Sequence, residues 1–139
     1  MIREIQSSEG ALVAEVLHEL RPHRAVADLP ALIDAQRPDG YRLVASFAGD
    51  NAVAVLGFRE GTNLAWGHHV YVDDLVTLPS ARGGGHARGL LDWVADEAAR
   101  LGCAQVHLDS GTHRNPAHRV YLANGYDITS FHFQRTASA

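Results

Sequence analysis

A change in hydrophobic periodicity constrains the fold of this chain more than any other feature. Three strand-like apolar runs come first, at residues 41–47, 52–58 and 64–78. From Ala87 the apolar positions have helical spacing, and a short strand pattern follows at residues 104–108. A strand, a helix and a second strand in this order usually form a unit whose two strands lie parallel. The pattern therefore predicts an α/β fold in which helices cover a sheet.

Turn signals give the order of the earlier elements. The segments 49–51 and 61–63 separate the three runs, which predicts an antiparallel meander. Before the meander, one helix is predicted to be capped at residues 7–8 and stopped by Pro22, and a second to begin at Asp28. The whole sheet is therefore expected to be mixed and mostly antiparallel.

The rest of the chain completes a single predicted domain over residues 1–139. Pro116 is predicted to open a further helix that ends at Gly125, and residues 126–134 read as a final extended segment. A length of 139 residues suits one hydrophobic core. No repeat and no linker-like segment interrupts it.

Bulk composition excludes several classes of protein. The formal charge is -4 with scattered arginines, whereas a nucleic-acid binder usually carries a basic stripe. No apolar stretch is long enough to span a bilayer, and the first residues do not resemble a secretion signal. Cys103 is the only cysteine, which excludes an intrachain disulfide. We therefore expect a cytoplasmic protein with no membrane and no nucleic-acid partner.

The chain contains no lysine, because all twelve of its basic residues other than histidine are arginines. This absence excludes a phosphate-binding P-loop lysine, a Schiff base and a Ser-Lys dyad.

A glycine-rich loop lies between the predicted strand ending near Leu78 and the helix beginning at Ala87. Main-chain N–H groups in the first turn of a helix lack partners, and glycines let them approach a bulky anion, so the loop predicts a phosphate site. A tight glycine-rich turn is the alternative. The dinucleotide pattern Gly-x-Gly-x-x-Gly does not fit, since residues 83–88 lack its last glycine and residues 84–89 its second.

These residues resemble the GCN5-related N-acetyltransferase (GNAT) family. Its signature Arg/Gln-x-x-Gly-x-Gly/Ala is matched in register by Arg82, Gly85 and Ala87. The segment 72–77 is similar to the family's acidic-then-apolar fourth strand, and the segment 115–126 to its tyrosine-bearing helix. The resemblance covers about residues 71–126.

The resemblance implies acetyl-CoA as co-substrate. It implies that the fourth and fifth strands splay apart, that the pantetheine arm pairs with the fourth strand, and that the loop amides hold the diphosphate. Threonine at position 77 replaces the family's more usual valine, which leaves backbone pairing intact. The implied binding residues are Leu75, Val76, Thr77, Arg82, Gly83, Gly84, Gly85, His86, Ala87, Arg88 and Asn115.

The resemblance also suggests catalytic residues. Tyr121 matches the tyrosine on the thiol side, and a phenol is protonated at neutral pH and can donate to the leaving sulfur. Asp73 matches the commoner acidic position that accepts the amine proton, with Asp74 as the alternative. Because adjacent strand residues point to opposite faces, only one of them is expected to face the acceptor. A backbone N–H of Leu75 or Val76 is suggested for the thioester oxygen.

Three functional classes remain at this stage. The favoured one is an N-acetyltransferase for a small-molecule amine, with a protein amine as the alternative acceptor and a homodimer as the suggested assembly. The second is a non-catalytic acyl-CoA-binding regulatory module. A nucleotide-binding module is disfavoured. The nine histidines suggest no metal site, because His68 and His69 should point apart on a strand, and no third ligand is evident beside His113 and His118.

Overall fold

The computed structural model describes residues 1–138 and contains two compact units, residues 1–108 and a second unit that begins at Asp109. Five strands and four α-helices form within the described residues. In chain order they are β1 (Ile2–Ile5), α1 (Ala14–Leu20), α2 (Leu29–Gln36), β2 (Arg42–Ala48), β3 (Asn51–Asn63), β4 (Gly67–Thr77), α3 (His86–Arg100), β5 (Gln105–Leu108) and α4 (Asn115–Ala123). The prediction of one domain over residues 1–139 stays a prediction.

The first unit contains one five-stranded sheet in the order β1-β2-β3-β4-β5. The first four strands pair antiparallel, and β4 pairs parallel with β5 through the α3 crossover. The mixed, mostly antiparallel sheet predicted from the sequence is therefore confirmed.

Two apolar layers cover the sheet. Alternation along β2 directs Leu43 and Ala45 into a buried cluster with α1 and α2, while Ser46 contacts His86 at the start of α3. Helix α3 also contributes Leu90 and other buried residues on its own face. Helices α1 and α2 therefore cover one face of the sheet, and α3 covers the other.

A charged network joins the outer strands to α3. The Arg42 guanidinium donates to Glu4 of β1 at 2.7 Å and to Glu97 of α3 at 2.6 Å. Glu97 is buried and also pairs with Arg100. The hydrogen bond from Arg100 and those from Arg42 hold the pKa of Glu97 below its ordinary value despite its burial. The network therefore keeps a buried carboxylate charged and satisfied.

Several local features differ from the sequence prediction. Strand β1 was not predicted, and the predicted turn at residues 61–63 is displaced to residues 64–66, where Asn63 Oδ1 accepts the N–H of Trp66 at 2.7 Å. The first α-helix begins at Ala14 rather than after residues 7–8. Within the described residues, the segment 126–134 forms no strand. No described helix has the length and apolarity needed to cross a membrane.

Candidate active site

Strand β4 contains a bulge at Asp73. Gly57 of β3 pairs with Asp74 and Phe58 pairs with Val72, so Asp73 has no partner opposite it. A residue inserted in this way bends the strand and interrupts the alternation of its side chains. The bulge therefore re-aims the acidic pair.

Both carboxylates of the pair lie in one polar cluster. Arg59 Nε donates to Asp73 at 2.8 Å, and Asp74 accepts from Tyr41 Oη at 2.6 Å and from Arg21 Nε at 3.1 Å. The Arg59 guanidinium lies 5.4 Å from the centre of the Tyr41 ring, which joins the two halves of the cluster. The predicted placement of Asp73 and Asp74 on opposite faces is therefore wrong, because the bulge breaks the alternation on which it depended.

The two carboxylates differ in accessibility. The Asp73 side chain is 28% exposed and Asp74 only 15%. Burial raises the pKa of Asp73 above its ordinary value, and the nearby charge of Asp74 adds to the rise, although Arg59 opposes it. Asp73 is thus the more accessible of the two and a better proton acceptor than an ordinary aspartate.

Gly57 makes room for the Tyr41 ring. A Cβ at position 57 would lie 2.1 Å from Tyr41 Oη, well inside any allowed contact. Tyr41 itself is buried, and burial together with the charge of Asp74 raises the pKa of its hydroxyl, so the phenol is a permanent donor to Asp74. The close approach of strand and ring fixes the orientation of Asp74.

Beyond the bulge, one edge of β4 has no strand partner. The ladder between β4 and β5 covers only His69–Val72 opposite Gln105–Leu108, whereas β3 pairs with β4 as far as Thr77. The Asp73 carbonyl accepts from the Arg21 guanidinium at 3.0 Å, and the main-chain groups of residues 74–77 that point away from β3 have no strand partner within the described residues. The predicted binding residues Leu75, Val76 and Thr77 lie on this segment.

The loop after β4 presents a row of main-chain donors. Gly83 and Gly85 adopt φ values of 83° and 81°, which glycine tolerates and other residues resist. Within the part of the chain that the structure describes, the N–H groups of residues 83–88 donate to no backbone acceptor, and the first helical bond runs from Gly89 to Gly85. Six consecutive amides at a helix N-terminus are therefore unpaired donors, which is the arrangement that an anion site requires, and the phosphate site stays a prediction.

Side chains complete the surroundings of this loop. Arg82 and Arg88 are exposed, and neither forms an ion pair with any residue from 1 to 138. The His86 ring contacts the buried Ser46 hydroxyl at 2.8 Å through Nδ1, which fastens the loop to β2. Ala87 follows in the first turn of α3. The loop therefore combines free amides, two free guanidinium groups and a fixed anchor.

The second unit contains the two remaining predicted residues. Asn115 is exposed at the first position of α4, and Tyr121 is buried on the same helix. Burial raises the pKa of the Tyr121 hydroxyl above its ordinary value, with Arg114 opposing the rise, so the phenol stays protonated at neutral pH.

Sequence reasoning missed the partners of the acidic pair. Arg21 follows α1, Tyr41 precedes β2 and Arg59 lies on β3, and no local pattern joins them to β4. Gly57 was the one available signal, because a glycine inside an apolar strand often marks the close approach of another group.

Comparison with known proteins identifies the family. The model of the acetyltransferase (GNAT) family matches residues 9–126. The chain therefore belongs to the GNAT acetyltransferase family.

Individual relatives agree with this assignment. The chain is 30% identical over 122 residues to the uncharacterized N-acetyltransferase YhdJ of Bacillus subtilis, and the match covers 86% of each protein. It is 36% identical over 64 residues to the aminoalkylphosphonate N-acetyltransferase of Salmonella typhimurium, covering 46% of this chain and 42% of that protein. Its fold matches the aminoglycoside N-acetyltransferase AAC(6')-Iy, solved with the bisubstrate analogue CoA-S-monomethyl-acetylneamine, with a TM-score of 0.83 and 18% identity over 100% of this chain and 98% of that one.

Proposed function

We propose that this protein transfers an acetyl group from acetyl-CoA to the primary amine of a small molecule, by direct attack within a ternary complex. One observation carries the proposal. The unpaired edge of β4 is followed, after the short 3₁₀ turn Pro79–Ala81, by the six free amides of residues 83–88. An extended arm that ends in a diphosphate is the ligand chemistry that suits such a strand edge followed by such an anion site.

Acetyl-CoA fits the residues of this region. The pantetheine arm would pair with the main chain of Leu75, Val76 and Thr77, and a backbone N–H of Leu75 or Val76 would hold the thioester oxygen. The amides of residues 83–88 would bind the diphosphate, with Arg82 and Arg88 adding positive charge. Asn115 is the further candidate for this ligand. The complexes of AAC(6')-Iy with CoA and with a CoA-linked analogue support this choice of co-substrate.

The chemistry requires a proton acceptor and a proton donor. The amine nitrogen forms a bond to the acetyl carbon, the carbon–sulfur bond breaks, and the amine proton passes to Asp73 directly or through water. Asp73 is preferred to Asp74 because it is more exposed. Within the described residues its carboxylate accepts from Arg59 alone, whereas Asp74 accepts from both Tyr41 and Arg21. Tyr121, whose pKa is raised by burial, would protonate the departing thiolate.

The acceptor is proposed to be a small cationic amine, for two reasons. The acidic pair lies beside the unpaired edge of β4, where its carboxylate oxygens can accept hydrogen bonds from an ammonium group. Two relatives carry names that specify small amines, an aminoalkylphosphonate and an aminoglycoside. A protein amine is the alternative acceptor, and no metal is required by this mechanism.

A homodimer and a cytoplasmic location are further parts of the proposal. In the second unit, apolar side chains are highly exposed at Ile128, Phe131 and Phe133. Exposed apolar residues this close together commonly mark a protein contact. Light scattering on the purified protein would measure the mass in solution, and a monomer at assay concentration would contradict the dimer.

One observation favours a second candidate, a non-catalytic acyl-CoA-binding module. Asp73 and Asp74 are both paired with arginines, at 2.8 and 3.0 Å, as carboxylates with a purely structural role would be. In that case the protein would bind acetyl-CoA without consuming it.

Two measurements test and separate these functions. A ligand at 100 times its Kd stabilises a protein by about 2.7 kcal/mol, so acetyl-CoA should raise the melting temperature whereas ATP and NAD should not. Release of free CoA thiol is then followed with a panel of amines. Thiol release with one amine class supports the enzyme, binding without turnover supports the module, and no response to acetyl-CoA would refute both.

A further inference from the structure

A cluster of three potential metal ligands lies away from the acidic pair. Glu60 is on β3, His68 is near the start of β4, and Cys103 is between α3 and β5. One ligand atom from each, a carboxylate oxygen, an imidazole nitrogen and the thiol sulfur, lies within 4.8 Å of the other two. Such convergence of three side chains from three elements is the arrangement that a bound cation needs.

The donor set is specific in its chemistry. Zinc binds thiolate at about 2.3 Å and imidazole or carboxylate at about 2.0–2.2 Å in a tetrahedral arrangement, so donors on a shared ion lie roughly 3.3–3.7 Å apart. The three donor atoms lie within 4.8 Å of one another, so side-chain rotations would bring them to this spacing. Calcium and magnesium prefer oxygen ligands alone, so a mixed sulfur, nitrogen and oxygen set favours zinc.

The electrostatics of the cluster favour a cation. His68 Nε2 contacts Glu60 Oε2, and no other basic group within residues 1–138 pairs with that carboxylate. Cys103 is buried and forms no disulfide. A cation bound among the three would neutralise the carboxylate and stabilise the thiolate.

The cluster lies on the opposite face of the sheet from the acidic pair. Glu60 is two residues beyond Phe58, which contacts Trp93 of α3, so both point toward the α3 face. Arg59, between them, points to the other face and pairs with Asp73. A metal bound here would connect the β3–β4 hairpin to the end of α3 and would not contact the acidic pair.

We propose that Glu60, His68 and Cys103 form a zinc site with three protein ligands and a fourth position open to water. The half-exposed side chains of Glu60 and His68 leave access for the ion. The zinc site takes no part in the proposed acetyl transfer, so the test of this site and the test of the proposed function are independent of each other.

Cobalt(II) provides the sharpest probe, because a cobalt–thiolate bond adds a charge-transfer absorption in the near ultraviolet that nitrogen and oxygen ligands do not. Metal-free protein, prepared with a chelator, is titrated with cobalt(II) and then with zinc, which should displace cobalt at one equivalent. The wild type should develop the band. Cys103→Ser and Cys103→Ala, two replacements in case one fails to fold, should not.

The other two ligands are tested through zinc affinity. His68→Gln and Glu60→Gln should each weaken zinc binding at least about tenfold, which is the lower end of the loss seen for weaker outer-shell changes. His23→Gln is the matched control, because His23 is exposed and lies outside the cluster. Three results would each overturn the proposal. The first is absence of the band in the wild type, and the second is its persistence without Cys103. The third is an unchanged zinc affinity in both His68→Gln and Glu60→Gln.

Discussion

Replacing Gly57 by alanine should displace the Tyr41 ring from Asp74. The new Cβ would lie 2.1, 2.6 and 2.8 Å from Oη, Cζ and Cε1 of Tyr41, so the ring must move. Tyr41 is only 3% exposed, which leaves it little free space. Overpacking of this kind costs about 1–3 kcal/mol, and loss of the hydrogen bond to the charged Asp74 about 1.5–3 kcal/mol. The free energy of unfolding should therefore fall by about 2.5–6 kcal/mol.

The chain offers a matched control in the same strand. At Gly61 an added Cβ would lie 3.4 Å from the nearest atoms of His69, an ordinary contact distance. Gly57 and Gly61 both lie in β3 without a positive φ. Replacement by alanine therefore reduces the conformational entropy of the unfolded chain equally at the two positions. Gly61→Ala should change the free energy of unfolding by less than about 1 kcal/mol. Urea unfolding followed by circular dichroism measures both variants.

A double mutant tests the contact between Gly57 and the Tyr41 ring more directly. Tyr41→Phe alone should cost about 1.5–3 kcal/mol, because it removes only the hydrogen bond. Adding Gly57→Ala to Tyr41→Phe should cost only the overpacking part, about 1–3 kcal/mol, since the bond is already lost. The double mutant should therefore be less destabilised than the sum of the single ones by about the hydrogen-bond energy. Equal costs for Gly57→Ala and Gly61→Ala, or strict additivity of the cycle, would refute the proposed contact.

Three further outcomes are expected from the proposed chemistry. Asp73→Asn should lower kcat/KM by about 10²–10⁴ without weakening acetyl-CoA binding. Because a base works only when ionised, wild-type activity should also fall as pH drops through the raised pKa of Asp73. Wild-type rates in Asp73→Asn would exclude Asp73 as the base. Tyr121→Phe should lower turnover far more than acetyl-CoA affinity, measured by thiol release and calorimetry; unchanged turnover would remove Tyr121 from the reaction. Gly85→Ala and Gly49→Ala should each lower the free energy of unfolding by about 1–2 kcal/mol, because both positions have positive φ. Only Gly85→Ala should also weaken acetyl-CoA binding, and equal affinities of the two variants would contradict the anion site.

Local physical signals account for the parts of the fold that sequence predicted. The glycine loop, α3 and the strand before it each have a pattern readable within about fifteen residues. Gly102, with a φ of 82° just past α3, and Gly125, with a φ of 87° after α4, act as the sequence suggested. Strand β1 has only four residues and gains its place by pairing with β2, which no local pattern reveals.

The candidate site was less predictable because it depends on contacts between distant segments. A bulge at Asp73 is set by the pairing register of β3 and β4, and one extra residue changes the direction of the acidic pair. The three potential metal ligands are similarly remote in sequence. Glu60 and Cys103 are not sequence neighbours of His68. The β3–β4 pairing brings Glu60 to His68, and the return of the chain after α3 brings Cys103 there.

Strand β4 arranges the proposed chemistry along a single direction. From His69 to Val72 it is paired on both edges, at Asp73 it bulges, and from residue 74 to Thr77 one edge has no strand partner among the described residues. Five residues of strand span about 13 Å between first and last, so this edge is long enough to pair with an extended arm, and residues 78–82 connect it to the loop amides. In the proposed mode the reactive thioester lies at the bulge because the diphosphate is held at the other end. A one-residue insertion between Asp73 and the loop should therefore leave acetyl-CoA affinity nearly unchanged but lower turnover, whereas equal turnover would show that the strand does not set this distance.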